Sequence, residues 1–176
     1  NSCRGGGIDN QALLAHLSQN PNFNVILDVY EQEPSPSDEL IKACLLATPH
    51  IAGYSLGGKY GGTAMIYDAL CETFALPKRL RLAQLISEVP VRKLSFSNEA
   101  DTGYVMKQVI RNAYDVRDDH YRMLSLIGLG DAEKAKAFDQ LRKNYPLRRD
   151  LNGQSISAKR LSHPVWLQAI GVRIKP

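Results

Sequence analysis

The sequence predicts an α/β fold followed by a smaller α+β part, and three observations lead to this expectation. Residues 23–29, FNVILDV, form a short run of β-branched and apolar residues, which is typical of a buried parallel strand. Patterns typical of helices lie on both sides of this run, QALLAHL after Asp9 and DELIKACLL after Ser37, and both preceding residues can cap a helix. Beyond residue 90, two strand-like runs alternate with helix-like spacing.

Composition places the chain among globular proteins. Its 176 residues are 44% hydrophobic and 23% charged, which argues against wholesale disorder. No apolar run approaches the roughly 18 residues that a membrane span needs, and the first ten residues do not resemble a signal peptide. Three cysteines without a CxxC spacing argue against a disulfide framework or a zinc ribbon and are typical of a reducing cytosol.

Charge divides the sequence into two parts. The net charge of +4 combines −5 over residues 1–76 with +9 over residues 77–176. This asymmetry indicates two units with different surfaces. The basic half could face nucleic acid, a phosphorylated ligand or an acidic partner, but its excess charge is spread thinly, so a solvated surface is favoured.

The remaining elements follow from spacing and from helix-breaking residues. The first helix should end near Asn20 and Pro21, and the segment TPHIAG should be extended. Asp131 is expected to cap a helix, and Gly171 to end the last one. The domain boundary is expected between residues 76 and 91. The further predicted helices span 63–76, 100–116, 131–145 and 163–171, and the further strands span 91–97 and 172–176, with 155–161 either strand or loop.

Four polar residues are candidates for chemistry. Arg4 precedes three glycines, where its guanidinium could hold a carboxylate, although the spacing alone favours a surface arginine beside a flexible turn. Asp28 ends the predicted strand and Glu33 follows it, at the edge where parallel sheets bind ligands; loop acidity is the alternative. His50 lies between a proline and an isoleucine at a strand exit, suited to acid–base work or to a structural role in a turn.

Other patterns favour structural roles. GYSLGGKYGGT follows no buried strand and lacks the glycine spacing of a phosphate loop, and the four histidines show no metal-ligand spacing. Trp166 and Ile170 are expected in the core or at a dimer interface. A basic cluster could bind phosphate, but nearby aspartates favour an ionic network; the cluster comprises Arg142, Lys143, Arg148 and Arg149, and the aspartates are Asp118, Asp119, Asp139 and Asp150.

Three motifs together are more specific than any one of these residues. NSCRGGGIDNQAL, ILDVYEQEP and TPHIAG, in this order, resemble the C-terminal signatures of the NAD-dependent D-2-hydroxyacid dehydrogenases, over roughly residues 1–75. The resemblance implies that residues 1–54 are the C-terminal part of a Rossmann-type NAD-binding domain. It implies that His50 accepts the hydroxyl proton, that Glu33 orients His50, and that Arg4 holds the substrate. It also implies that Tyr54 contacts substrate and that NAD is lined by Ser2, Cys3, Arg4, Asp28 and Gly53.

The second half resembles a branch of this family that adds a dimerisation domain and works in pyridoxal phosphate synthesis. The segments VRDDHYRM and FDQLRKNYPLRRD and the extension after residue 85 account for this resemblance. It implies oxidation of 4-phosphoerythronate at C2, a cytoplasmic homodimer formed by residues 85–176, and a crossing helix with connector at 55–84.

Neither the lid domain of the family nor its GxGxxG turn is present in the sequence. We therefore expect a C-terminal half that is inactive by itself. Another D-2-hydroxyacid dehydrogenase, such as one acting on phosphoglycerate, and a non-catalytic dimerisation module are the alternatives. Nucleic-acid binding is disfavoured, because aromatic residues are only 7% and no RNA- or DNA-binding signature is present.

Overall fold

The structure is a computed structural model that describes residues 1–81, 84, 91, 93–97, 99–146, 148, 150–151, 155–157, 165–169 and 171–175. Its described helices are α1 (Asn10–Gln19), α2 (Asp38–Ala43), α3 (Leu56–Thr73), α4 (Thr102–Ala113), α5 (Val116–Leu124), α6 (Asp131–Lys143) and α7 (Val165–Ala169). Its described strands are β1 (Ile26–Leu27), β2 (Leu46–Ala47), β3 (Leu94–Ser95), β4 (Ser155–Ser157) and β5 (Arg173–Lys175).

Two compact units form, one from residues 1–52 and 116–146 and the other from 53–115 and 147–176. The division predicted from sequence at residues 54 and 84 differs from these units, because α5 and α6 pack with the first 52 residues. Phe138 of α6 meets the ring of Tyr30 edge-on, with centroids 6.4 Å apart. The three predicted domains stay a prediction.

In the first unit, β1 and β2 are parallel, with Ile26 opposite Leu46. The N–H of Asp28 donates to the carbonyl of Asn1 at 2.8 Å, so the residues before the glycine turn lie along the other edge of β1. Helix α1 begins where predicted, since the Asp9 carboxylate accepts hydrogen bonds from the first-turn N–H groups. The buried core contains Val25, Leu27, Tyr30, Leu40, Ile41, Cys44, Ala47, Met123, Leu126 and Phe138.

In the second unit, β3, β4 and β5 form a parallel sheet with β4 in the middle. Val105 and Val109 of α4 pack against it, as their spacing predicts, and Trp166 lies half-buried beside the same core. Gly171 has φ of 84°, a left-handed conformation that favours glycine, and it follows α7 as expected. The core of this unit contains Val105, Val109, Ile156, Leu167 and Val172.

Several element predictions were wrong or incomplete. The segment DELIKACLL is helical only over Asp38–Ala43, and its end lies in β2 (Leu46–Ala47). The segment TPHIAG is not extended throughout, because His50 has φ of 55°.

Helix α5 was not predicted. Helix α3 begins at Leu56, seven residues earlier than expected, with the Ser55 hydroxyl accepting from the N–H of Gly58. Asp131 is the first residue of α6, and Gly130 occupies the cap position. Residues 82–83 and 85–90, between the predicted helix at 63–76 and the predicted strand at 91–97, lie outside the described residues, as do residues 158–164 and Ile170.

Candidate active site

The polar residues of the first unit meet at the carboxyl ends of β1 and β2. Asp28 follows β1 directly, Glu33 lies five residues further on, and His50 follows β2. The Tyr30 side chain is buried, and its hydroxyl lies 3.1 Å from the carbonyl of Thr48, which links the two segments. Burial raises the pKa of Tyr30 far above its usual range, so this hydroxyl remains a hydrogen-bond donor.

Glu33 and His50 form a hydrogen-bonded pair. Nδ1 of His50 lies 2.7 Å from Oε2 of Glu33. The two side chains are 26% and 21% exposed, so the pair is partly shielded yet reachable from solvent. An ionised carboxylate can only accept, which places the proton on Nδ1 and leaves Nε2 as the free base of a neutral imidazole.

The other oxygen of Glu33 anchors the carboxylate. Oε1 accepts a hydrogen bond from the N–H of Tyr30 at 2.9 Å. Because Tyr30 is fixed in the core, Glu33 is held to β1 on one side and to the imidazole on the other. Such an arrangement fixes both the tautomer and the orientation of a histidine.

The backbone of His50 is in the left-handed region, with φ of 55°. Residues other than glycine adopt this conformation at a cost of about 1–2 kcal/mol, although histidine is among those that tolerate it. An observed outlier of this kind is common where a functional side chain must be held in one direction. Here it accompanies the contact between the imidazole and Glu33.

Arg4 reaches this region through the close packing of Gly5. A Cβ on Gly5 would collide with the carbonyl of Tyr30, so only glycine allows the chain to pass this near the end of β1. The Arg4 side chain is exposed and pairs with no carboxylate in the described part of the chain. Its guanidinium is therefore accessible to an anionic ligand.

Ser2 and Cys3 are also exposed, and they precede Arg4 along the edge of β1. Asp28 is buried and accepts hydrogen bonds from the N–H groups of Ile51 and Ala52. Gly53 and Tyr54, which the resemblance assigns to cofactor and substrate binding, belong to the second unit, where Lys59 lies 4.7 Å from the Tyr54 ring centroid. The predicted ligand contacts of all these residues stay predictions.

Two residues that hold this region together, Glu31 and Thr48, were not predicted from the sequence. The Glu31 carboxylate accepts from the N–H of Asn10 at 2.8 Å and so joins the segment after β1 to the first turn of α1. The Thr48 hydroxyl donates to Asp28 at 2.6 Å. The available signal was the density of acids after β1, with Asp28, Glu31 and Glu33 within six residues.

One member of the basic cluster, Arg148, packs on an aromatic ring. The Arg148 guanidinium carbon lies 4.2 Å from the ring centroid of Tyr114. Asp119 is buried and accepts from the Tyr145 hydroxyl and from Arg122, each at 2.6 Å. Arg122 was not among the predicted partners, and Arg149 lies outside the described residues.

Comparison with known proteins relates two parts of the chain to known families. Residues 1–52 match the NAD binding domain of the D-isomer specific 2-hydroxyacid dehydrogenases, and residues 85–171 match a family described as a domain of unknown function, DUF3410. Over residues 1–52 the chain carries part of the NAD binding domain of the dehydrogenase family. This result confirms the predicted fold class and the motif-based resemblance.

Within that family the chain is similar to proteins named erythronate-4-phosphate dehydrogenase. It is 46% identical to the one from Ectopseudomonas mendocina over 87% of this chain and 41% of the relative. It is 41% identical to the one from Marinobacter nauticus over 99% of this chain and 46% of the relative. The chain thus spans less than half the length of these curated relatives.

Proposed function

We propose that this chain supplies the acid–base and carboxylate-binding residues of an NAD-dependent dehydrogenase that oxidises 4-phosphoerythronate at C2. The product would be 2-oxo-3-hydroxy-4-phosphobutanoate, on the route to pyridoxal 5'-phosphate. The observation that carries this proposal is the Glu33–His50 pair at the carboxyl ends of two parallel strands. The similarity to erythronate-4-phosphate dehydrogenases over nearly the whole chain supports the choice of substrate.

In this proposal His50 acts as the base. With Nδ1–H donated to Glu33, Nε2 takes the proton of the 2-hydroxyl as the C2–H bond breaks. The imidazolium formed in this step is stabilised by the adjacent carboxylate. The exposed Arg4 guanidinium would hold the substrate carboxylate in a bidentate manner and place C2 near the imidazole.

The residues at this edge fit a dinucleotide. Ser2, Cys3 and Arg4 are exposed beside the carboxyl end of β1, which is where open parallel sheets bind such cofactors. Bound there, NAD would supply the acceptor for the hydride that leaves C2. The exposed hydroxyl and guanidinium groups suit a polar, anionic ligand.

The test is an assay of a longer polypeptide in which this chain follows the amino-terminal part of a relative. We expect NAD reduction with 4-phosphoerythronate and at least about a hundredfold loss in His50→Gln, in keeping with the usual contribution of a general base. His16→Gln, which changes an exposed histidine of α1, serves as the matched control. Equal or greater kcat/KM with 3-phosphoglycerate would contradict the proposed substrate.

We further propose that residues 85–176 form a cytoplasmic homodimer. A three-stranded sheet with two or three residues per described strand is small for an independent domain, and a two-fold interface would bury the remaining apolar surface. Tyr104, Met106 and Ile110 of α4 are exposed by 38–51% and are candidates for this surface. No helix in the described residues is both long and apolar enough to cross a membrane.

Light scattering of the chain at tens of micromolar tests the dimer. We expect twice the chain mass of 19.6 kDa, and a reduced dimer fraction in Met106→Lys. Lys107→Met, a change at the neighbouring exposed position of α4, is the control for the helix itself. A folded monomer at these concentrations would contradict the proposal.

A further inference from the structure

The Asp28 carboxylate holds the segment that carries His50 from both sides. Its Oδ1 accepts from the Thr48 hydroxyl at 2.6 Å and from the N–H of Ile51 at 2.8 Å. Its Oδ2 accepts from the N–H of Ala52 at 2.9 Å. These donors lie two residues before His50 and one and two residues after it, so a single side chain spans the whole turn.

Asp28 is itself firmly placed. It is 6% exposed, it follows β1 without an intervening residue, and its own N–H donates to the carbonyl of Asn1 at 2.8 Å. The N–H of Thr48 donates to the carbonyl of Leu27 at 2.9 Å, which continues the pairing of the two strands up to this point. The carboxylate therefore fixes the turn that follows β2 relative to the end of β1.

His50 requires such support because its backbone conformation is unfavourable for an L side chain. With φ of 55°, the residue persists in this region only where the surrounding structure over-determines it. Asp28 accepts hydrogen bonds from the two consecutive N–H groups just after His50, and these bonds hold the backbone in this conformation. The direction of the imidazole towards Glu33 depends on the same backbone.

We propose that Asp28 is a positioning residue for His50, an inference that rests on the proposed function. By fixing the turn, it keeps Nδ1–H on the Glu33 carboxylate and leaves Nε2 free to accept the substrate proton. This role differs from the cofactor contact that the family resemblance implies for Asp28. Both carboxylate oxygens are already engaged within the chain, each with a donor from the turn.

The experiment uses Asp28→Asn. An amide presents one acceptor oxygen and one NH₂ group, so at least one N–H of the turn would face another donor. The ¹⁵N shifts of the His50 ring, recorded on the 176-residue chain above about pH 8, where a histidine of ordinary basicity is neutral, report the tautomer directly. We expect the Nδ1–H tautomer in the unchanged chain and a mixture with Nε2–H in Asp28→Asn. Glu31→Gln is the matched control, because this acid of the same segment contacts Asn10 instead.

Retention of the pure Nδ1–H tautomer in a folded Asp28→Asn chain would overturn the proposal. Should that variant fail to fold, hydrogen exchange in the unchanged chain decides: the Ile51 and Ala52 amides should exchange at least about tenfold more slowly than the exposed Gly53 amide, and equal rates would overturn it. Neither measurement needs substrate or NAD, so their failure is distinguishable from failure of the proposed activity.

In the active longer polypeptide, Asp28→Asn should lower kcat by about tenfold to a hundredfold with KM for NAD unchanged, since small misplacements of a reacting group have effects of this size. A rise in KM for NAD with kcat unchanged would instead assign Asp28 to the cofactor and overturn the positioning role.

Discussion

At the scale of single residues, the two oxygens of Glu33 determine which proton His50 can move. Oε1 is committed to the N–H of Tyr30 and Oε2 to Nδ1 of the imidazole. The carboxylate can accept from both because it carries no proton. An amide of the same shape could not accept from both groups, because it has an acceptor oxygen on one side only.

Glu33→Gln should therefore lower kcat/KM by about a hundredfold to ten-thousandfold, the usual range for losing acid–base catalysis. With the amide oxygen facing Tyr30, the NH₂ group faces Nδ1 and favours the Nε2–H tautomer, which cannot accept the substrate proton. The measurement is steady-state kinetics of the longer polypeptide, with an isotope effect at C2 to show that hydride transfer limits the rate. Glu39→Gln, at an exposed position of α2, is the control, and activity within about threefold of the unchanged enzyme would show that the pair has no catalytic role.

Lys134 and Asp38 form a structural ion pair in which the lysine is buried and the aspartate is partly exposed. The Lys134 ammonium is 7% exposed and donates to Asp38 at 2.6 Å, while the N–H of Gly128 donates to the other carboxylate oxygen. The hydrogen bond from Lys134, followed by that from Gly128, holds the pKa of Asp38 below its ordinary value. A carboxylate whose pKa is lower in the folded than in the unfolded chain contributes stability above its unfolded pKa of about 3.9 and loses it as the pH falls through the folded value.

Lys134→Met should lower the free energy of unfolding near neutral pH by about 1.5–3 kcal/mol, the range for a hydrogen bond to a charged group. The difference between variant and unchanged chain should shrink towards about pH 3 and below, where Asp38 becomes protonated. Urea unfolding across this pH range measures both effects. Lys136→Met, which changes an exposed lysine of the same helix, should show neither, and a difference independent of pH would contradict the assigned pair.

At the residue scale, the sequence was most informative about site residues that lie within a known motif. Glu33 and His50 were predicted as partners because their motifs resemble those of a known family, and the structure brings the two side chains together. The role of Thr48 could not be predicted, because its hydroxyl acquires meaning only through its contact with Asp28, twenty residues away. Long-range partners of this kind leave no periodic signal along the chain.

At the scale of elements, α5 covers the exposed edge of β2. Nδ1 of His120 accepts a hydrogen bond from the N–H of Ala47 at 3.1 Å, and Ala47 is fully buried. A buried strand N–H without an acceptor would lower stability. Here the helix supplies the hydrogen-bond acceptor that a neighbouring strand would otherwise provide. Met123, also fully buried, fixes the same helix to the core.

His120→Leu should lower the free energy of unfolding by about 1–3 kcal/mol, because it leaves the Ala47 N–H buried and unsatisfied. His120→Asn should lose less, since its side-chain oxygen can occupy the position of Nδ1. Urea unfolding compares the stabilities, and amide exchange at Ala47 reports the contact itself. Equal stability and equal Ala47 exchange in the two variants would show that the hydrogen bond contributes nothing.

Helix starts were predictable from sequence where a side chain caps the first turn locally, and they were not predictable where packing determines the start. Asp9 and Ser37 accept from N–H groups two or three residues onward, so their pattern is visible in the chain. Gly58 made the start of α3 look irregular, yet a Cβ there would lie 2.6 Å from the carbonyl of Gly53, so the first turn needs this glycine. Helix α5 was missed because its polar sequence gains stability from tertiary packing of residues such as Met123 rather than from intrinsic propensity.

At the scale of the whole molecule, the order of the motifs predicted the resemblance to a family, and contacts distant in sequence determined the compact units. The matched families divide the chain at residues 52 and 85, whereas α5 and α6 join the first unit through the buried contact of Phe138 with Tyr30. The net charge also differs between these units, at −3 for the first and +7 for the second. The charge distribution therefore predicted two units but could not predict which helices belong to each unit.

The 176-residue chain by itself should bind no NAD with micromolar affinity. The first unit offers two described strands and an edge that carries Ser2, Cys3 and Arg4, which can contact only one end of a dinucleotide. Pyrophosphate binding in such folds depends on a glycine-rich turn that leads from a strand into a helix N-terminus, and GxGxxG occurs nowhere in this sequence. Without that contribution, a few hydrogen bonds must offset the loss of translational and rotational freedom on binding. Isothermal titration of the chain with NAD should give no saturable heat, whereas the longer polypeptide should bind, and Arg4→Ala in that polypeptide should weaken substrate more than cofactor. A micromolar Kd for the 176-residue chain would show that its own residues form a complete dinucleotide site.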